Sequence, residues 1–377
     1  RVAVVLLSKT TLVAWSGGLI AAVGLGLAAA QLLPEYELAS FSRRAGSVPY
    51  DFAVSYALPP HNLITLLFPY FFHDLSGVYW GLWSAWESAH YVGIMPLFLS
   101  LIAVTCARTR HAFFFAIVAV LALLVAMGDY VPWNLHRLLY QLPGFSQMRA
   151  PARFSFLFSF AVASLTGIGL HWLIATLTPI RITRRFHPLS GASKENSTTV
   201  FGILIILAVP FGAAAPFALN WFDGWLRNDR ELALQLISQH YLNLRSLGRW
   251  MKNEDVLRWL ENSLSLDNEK VILSVALILG SACLLLCWDR FRRLSPLWQV
   301  CVVLLVVVDL YFFARSFHPL TSVRLLAAPS PAASFLQRQA KEGRTYTVWW
   351  ANDQPNRLLL ARIPELGGYS SLEFQRH

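Results

Sequence analysis

Arg149 and Arg153 stand four residues apart on either side of Pro151, so a helix continuing through that proline would carry both guanidinium groups on one face. A planar, permanently charged fork binds phosphate oxygens two at a time. The pair therefore reads as an anion site, an anchor to lipid headgroups or half of a structural salt bridge. Glu87 and Asp51 lie in one long polar segment as candidate local acids, each weighed against an ordinary solvated loop carboxylate. Asp309 is different in kind, because it sits between Val306-Val307-Val308 and Leu310-Tyr311-Phe312-Phe313. A carboxylate in such a run is costly, so it implies either a functional role or a structural pair with an arginine such as Arg149, Arg153 or Arg315. His171, in another apolar run, reads as a hydrogen-bonded packing residue rather than a haem or pigment ligand. The four cysteines, Cys106, Cys283, Cys287 and Cys301, fall in or at the ends of apolar runs and read as soft packing rather than a thiolate metal site. No phosphate-cradling glycine loop, paired zinc motif or nucleophile elbow occurs, which argues against an ATP-driven pump or a soluble-type hydrolase.

The elements that must position these residues are set by composition. Of 377 residues, 56% are hydrophobic and 14% charged, with a mean hydropathy of +0.49; soluble domains are charged at roughly a quarter of their positions. The apolar residues form long uninterrupted stretches, the pattern selected by hydrocarbon, where each backbone group must bond internally. The net charge of +10 comes from short clusters between those stretches, which is membrane topology rather than a nucleic-acid face. The expected fold is an all-α polytopic transmembrane helix bundle of about seven spans over 1–319. The start of a small extracytoplasmic α/β segment follows over 320–377.

The spans are expected at 11–33, 90–106, 112–128, 154–177, 200–222, 271–288 and 297–313, with long loops at 34–89, 129–153 and 223–270. Residues 133–141 read as a short interfacial helix, and 231–241 and 255–264 carry helical periodicity. Ser330-Pro331 opens a helix toward Lys341, and 344–350 alternates like a strand. Nine Lys/Arg fall in the turns after spans two, four and six: Arg108, Arg110, Arg181, Arg184, Arg185, Lys194, Arg290, Arg292 and Arg293. The positive-inside rule places those turns in the cytoplasm and the long loops outside.

Several loop sequences together resemble the bacterial YfhO-like membrane proteins, relatives of GT-C type glycosyltransferases. They are Gln31-Leu-Leu-Pro-Glu35 with Ser42-Arg43-Arg44, Ala57-Leu-Pro-Pro60, Glu87-Ser-Ala-His-Tyr91-Val-Gly93 and Pro143-Gly144-Phe145. Met148-Arg149-Ala-Pro151-Ala-Arg153-Phe154, Asp309-Leu310 and Gly368-Tyr369-Ser-Ser-Leu372 complete the set. The resemblance implies a piece of a longer chain in the bacterial cytoplasmic membrane, with the main catalytic acid upstream of Arg1. It also implies a polyprenyl-phosphate sugar donor, a cell-envelope glycan acceptor, the lipid bilayer as surroundings and no nucleic acid. Arg149 and Arg153 would hold the lipid phosphate, and Glu87 or Asp51 would be the local acid. The chemistry admits a divalent cation as cofactor. A non-enzymatic scaffold subunit and a transporter are the competing readings.

Overall fold

The computed structural model describes residues 2–41, 46–73, 79–142, 144–177, 202, 217–222, 224–226, 228–245, 252–287, 295–318, 320, 322, 331–339 and 363. Two compact units divide the chain. Among the described residues there are helices and no strand. Four helical segments are long and apolar enough to cross a membrane: Ala14–Ser40, Pro151–Ala175, Asn253–Leu286 and Pro296–Phe317. The protein is a helical membrane protein.

One unit contains α1 (Val2–Ser40), which runs on through Pro34 instead of ending before it. A proline inside a helix removes one hydrogen bond, a loss that bends the helix without ending it. α1 presents large apolar side chains such as Trp15, Ile20 and Leu27 outward, as a lipid-facing helix does. The same unit holds the Pro331–Gln339 helix, whose Ala333 and Leu336 meet Ile363.

The larger unit is a bundle built around α2 (Ile94–Ile102). A π-helical turn, Ala103–Ala107, extends α2, and α3 (Arg110–Ala126) returns after it with Thr109 as N-cap, its hydroxyl accepting from the Ala112 amide at 3.1 Å. α4 (Leu135–Tyr140) is the short helix expected in the following loop. α5 (Ser155–Leu177) packs on both α2 and α3. Two amphipathic helices, α6 (Arg230–Arg245) and α7 (Asn253–Leu264), precede α8 (Glu269–Leu286) and α9 (Ser295–Phe317). Met95, Leu99 and Ile102 of α2 meet Leu173 of α5, Leu285 of α8 and Trp298 and Val302 of α9 in the central apolar cluster.

Close approach of α2 and α5 depends on Gly169, since a Cβ there would overlap the Leu99 carbonyl oxygen. The Ala161, Leu165, Gly169 and Leu173 face of α5 is buried. His171 falls on the other side and is exposed, so it is not the packing residue expected from sequence. The second expected span, 90–106, is also corrected at its start: Gly93 adopts φ +92, and the helix begins at Ile94. The expected span 200–222 lies mostly outside the described residues. The basic loop 179–199, the turn at Arg290, Arg292 and Arg293, and the strand at 344–350 lie outside them entirely.

Candidate functional site

A single helical turn, Ala85–Ser88, carries Glu87 toward the start of α5, where Pro151–Phe154 forms a 3₁₀ turn holding Arg153. The two side chains pair as a fork: Arg153 Nε donates to Glu87 Oε2 at 3.0 Å and Nη2 donates to Oε1 at 2.6 Å. Charge-assisted pairing of this geometry is stronger than a single contact and fixes orientation as well. The Glu87 side chain is only 12% exposed and that of Arg153 71%, so the acid is the anchored partner.

Arg149 is placed elsewhere than its spacing predicts. Ala150 adopts a left-handed conformation, φ +65, so no helix runs from Arg149 through Pro151. The residue before a proline is pushed out of the α region by the ring, which gives the break its cause. Instead of sharing a face with Arg153, the Arg149 guanidinium lies over two aromatic rings, 4.8 Å from the centroid of Phe52 and 4.6 Å from that of Tyr56. Tyr56 in turn stacks on Trp83, at 4.8 Å between centroids. Half-buried on this shelf, Arg149 meets no hydrogen-bond acceptor and no carboxylate among the described residues. A cation held by ring faces keeps its in-plane N–H groups available, so the shelf orients a charged fork without neutralising it.

Tyr56 binds the site together through its backbone as well, since its carbonyl accepts from the Ala152 amide at 3.3 Å. Tyr56 is itself left-handed, φ +63. Non-glycine residues in that region cost of order 1 kcal/mol or more each and collect where a particular geometry is over-determined by its surroundings. Leu58 anchors the same strip by donating its amide to the Ala126 carbonyl at the end of α3, at 2.8 Å.

Asp51 stands apart, exposed and without a hydrogen bond or ion pair among the described residues. Its neighbour Tyr50 is the anchored one, donating to Asp129 Oδ1 at 2.7 Å, with Asn134 also bonded to that carboxylate. Burial, and then the Asp129 hydrogen bond, push the Tyr50 hydroxyl up to about 12.

Among the described residues Asp309 pairs with no arginine. Its Oδ1 accepts from the Tyr91 hydroxyl at 2.6 Å and its Oδ2 accepts from the Ile94 amide at 2.9 Å, the whole buried at 3% exposure. Gly93, the residue ahead of α2, has no side chain with which to cap it, and Asp309 supplies that cap from α9. Beside this contact, His90 Nε2 lies 3.2 Å from Thr65 Oγ1 in a buried pair.

Among the described residues no three His, Cys, Asp or Glu side chains gather as metal ligands. Glu87 is directed at Arg153 and Asp51 stands apart, so these two acids do not form a cation site together. Sequence reasoning missed the shelf of Phe52, Tyr56 and Trp83. The aromatics between 50 and 91 are visible in the sequence, but nothing in their spacing marks which rings will stack.

No protein-family profile, curated protein or solved structure matches this chain.

Proposed function

We propose that the protein is part of a membrane glycosyltransferase-like machine of the GT-C kind, in which Arg149 holds the phosphate of a polyprenyl-phosphate sugar at the outer end of α5. One observation carries the reading: a half-buried guanidinium clamped on two ring faces with no acceptor among the described residues. Such a group is prepared for an anion that arrives from outside the chain. In sugar transfer, an acceptor hydroxyl oxygen bonds to the anomeric carbon while the bond from that carbon to the phosphate oxygen breaks. The phosphate leaves with the bonding electrons and the acceptor proton passes to a carboxylate. Arg149 stabilises the departing charge, and Glu87, paired with Arg153 four residues along the chain, supplies the carboxylate. The acceptor is a glycan of the cell envelope.

The resemblance to YfhO-like proteins supports this reading, as does the way its separate segments come together. Glu87 meets Arg153, Tyr91 meets Asp309, and Tyr56, next to Ala57-Leu-Pro-Pro60, carries Arg149. The same reading has seven spans, with the basic turns in the cytoplasm and the site outside, in the bacterial cytoplasmic membrane. Purified protein in nanodiscs carrying Arg149→Gln should bind polyprenyl phosphate at least tenfold more weakly than wild type, with unchanged thermal stability. Equal affinity would remove the proposal. A scaffold role is favoured by α1, where Gly17 and Gly24 fall on one side and a Cβ at either would find nothing within 4 Å, leaving that face open to another helix. A protein that binds no lipid phosphate but co-purifies with a membrane partner through α1 would fit that second reading.

A further inference from the structure

The fork between Glu87 and Arg153 has the geometry with which arginine also grips a phosphate: two N–H groups, two oxygens, one plane. Its partners are held unequally. Glu87 is largely covered on its short helical turn, whereas most of the Arg153 side chain faces outward. Arg153 is long and exposed and can swing away, but it leaves a covered carboxylate behind, so only an anion that grips the guanidinium more strongly than Glu87 does can take its place. Tyr56 links this fork to the Arg149 shelf, because its ring lies under Arg149 and its carbonyl holds the Ala152 amide next to Arg153.

We propose that Glu87 is an internal occupant of the anion site, its carboxylate competing with a ligand phosphate for the Arg153 guanidinium. Ligand binding moves Arg153 from Glu87 to the phosphate, where it joins Arg149. In the ligand-free protein Glu87 keeps the second cation oriented and quenched, so weaker anions are not captured. This inference rests on the assignment of Arg149 to the phosphate, and it makes a prediction of opposite sign to a structural role for the pair: removing the glutamate charge tightens anion binding.

The experiment measures binding of inorganic phosphate, and separately of farnesyl phosphate, to the full chain in neutral-lipid nanodiscs. Glu87→Gln should bind both probes at least fivefold more tightly than wild type, since the ligand no longer has to displace a covered carboxylate. Glu87→Asp, which keeps the charge but draws it back by one methylene, should fall between, and it secures the result if the glutamine variant folds poorly. Arg153→Gln should bind more weakly, and adding Glu87→Gln to it should change nothing further. An affinity that is unchanged or lower in both Glu87 variants overturns the competition. If binding still depends on Arg149 in that case, the phosphate assignment survives and the competition alone is lost. If neither probe binds in an Arg149-dependent way, both fall together.

Discussion

At Asp309 a buried carboxylate closes two contacts that no nearby residue can supply, one to a phenol 218 positions away in sequence and one to the first amide of α2. The price of burying that charge was legible from the apolar run around it, but its partners were not, because only the fold brings Tyr91 and Gly93 to α9. Asp309→Asn places an amide nitrogen against one of two donors, so it should destabilise the protein by about 1–3 kcal/mol. Thermal unfolding in detergent reads this, and phosphate binding by the surviving folded fraction should be unchanged; a binding defect at full stability would overturn the structural assignment. Tyr50 gives a prediction in pH. Its hydroxyl is raised to about 12 in the folded protein from an unfolded value of about 10. The protonated form is thus favoured by folding, and the stability it contributes is complete below about pH 10 and lost as pH climbs through about 12. An alkaline stability titration of Tyr50→Phe against wild type should show this loss only in wild type.

Helices were the most legible elements, since apolar run length alone anticipates α5, α8 and α9 to within a few residues. Boundaries set by backbone conformation were not. The break at Ala150 depends on the proline that follows, so a four-residue spacing that looked like one helical face became one arginine on an aromatic shelf and another paired with Glu87. The shelf under Arg149 was hidden for a related reason: Phe52, Tyr56 and Trp83 follow no period, and ring stacking across a loop has no sequence signature. The α2–α5 contact carries a sharper prediction. Gly169→Ala drives a methyl into the Leu99 carbonyl, which helix backbones can relieve only by moving apart. The variant should lose about 2 kcal/mol or more and yield much less folded protein, whereas Gly167→Ala on the same helix, with nothing within 4 Å, should be tolerated. Equal yields of the two would show that the helices do not approach so closely.

The whole molecule is a membrane protein whose helices differ in reach. α5 and α9 are each 23 residues long, enough to cross hydrocarbon of about 30 Å. The α2–α3 hairpin is not. With nine residues and a five-residue π turn, α2 rises only about 21 Å, and the 17 residues of α3 about 25 Å. Lipid meeting the exposed apolar side of α3, at Phe114, Ile117 and Val120, would have to shorten to match it, at a cost of fractions of a kcal/mol per ångström. An exposed apolar helix of that reach predicts a preference for thin membrane. Reconstituted in dimyristoyl lecithin the protein should unfold at a higher temperature than in dierucoyl lecithin, and equal unfolding temperatures would show that α3 does not set the thickness the protein prefers.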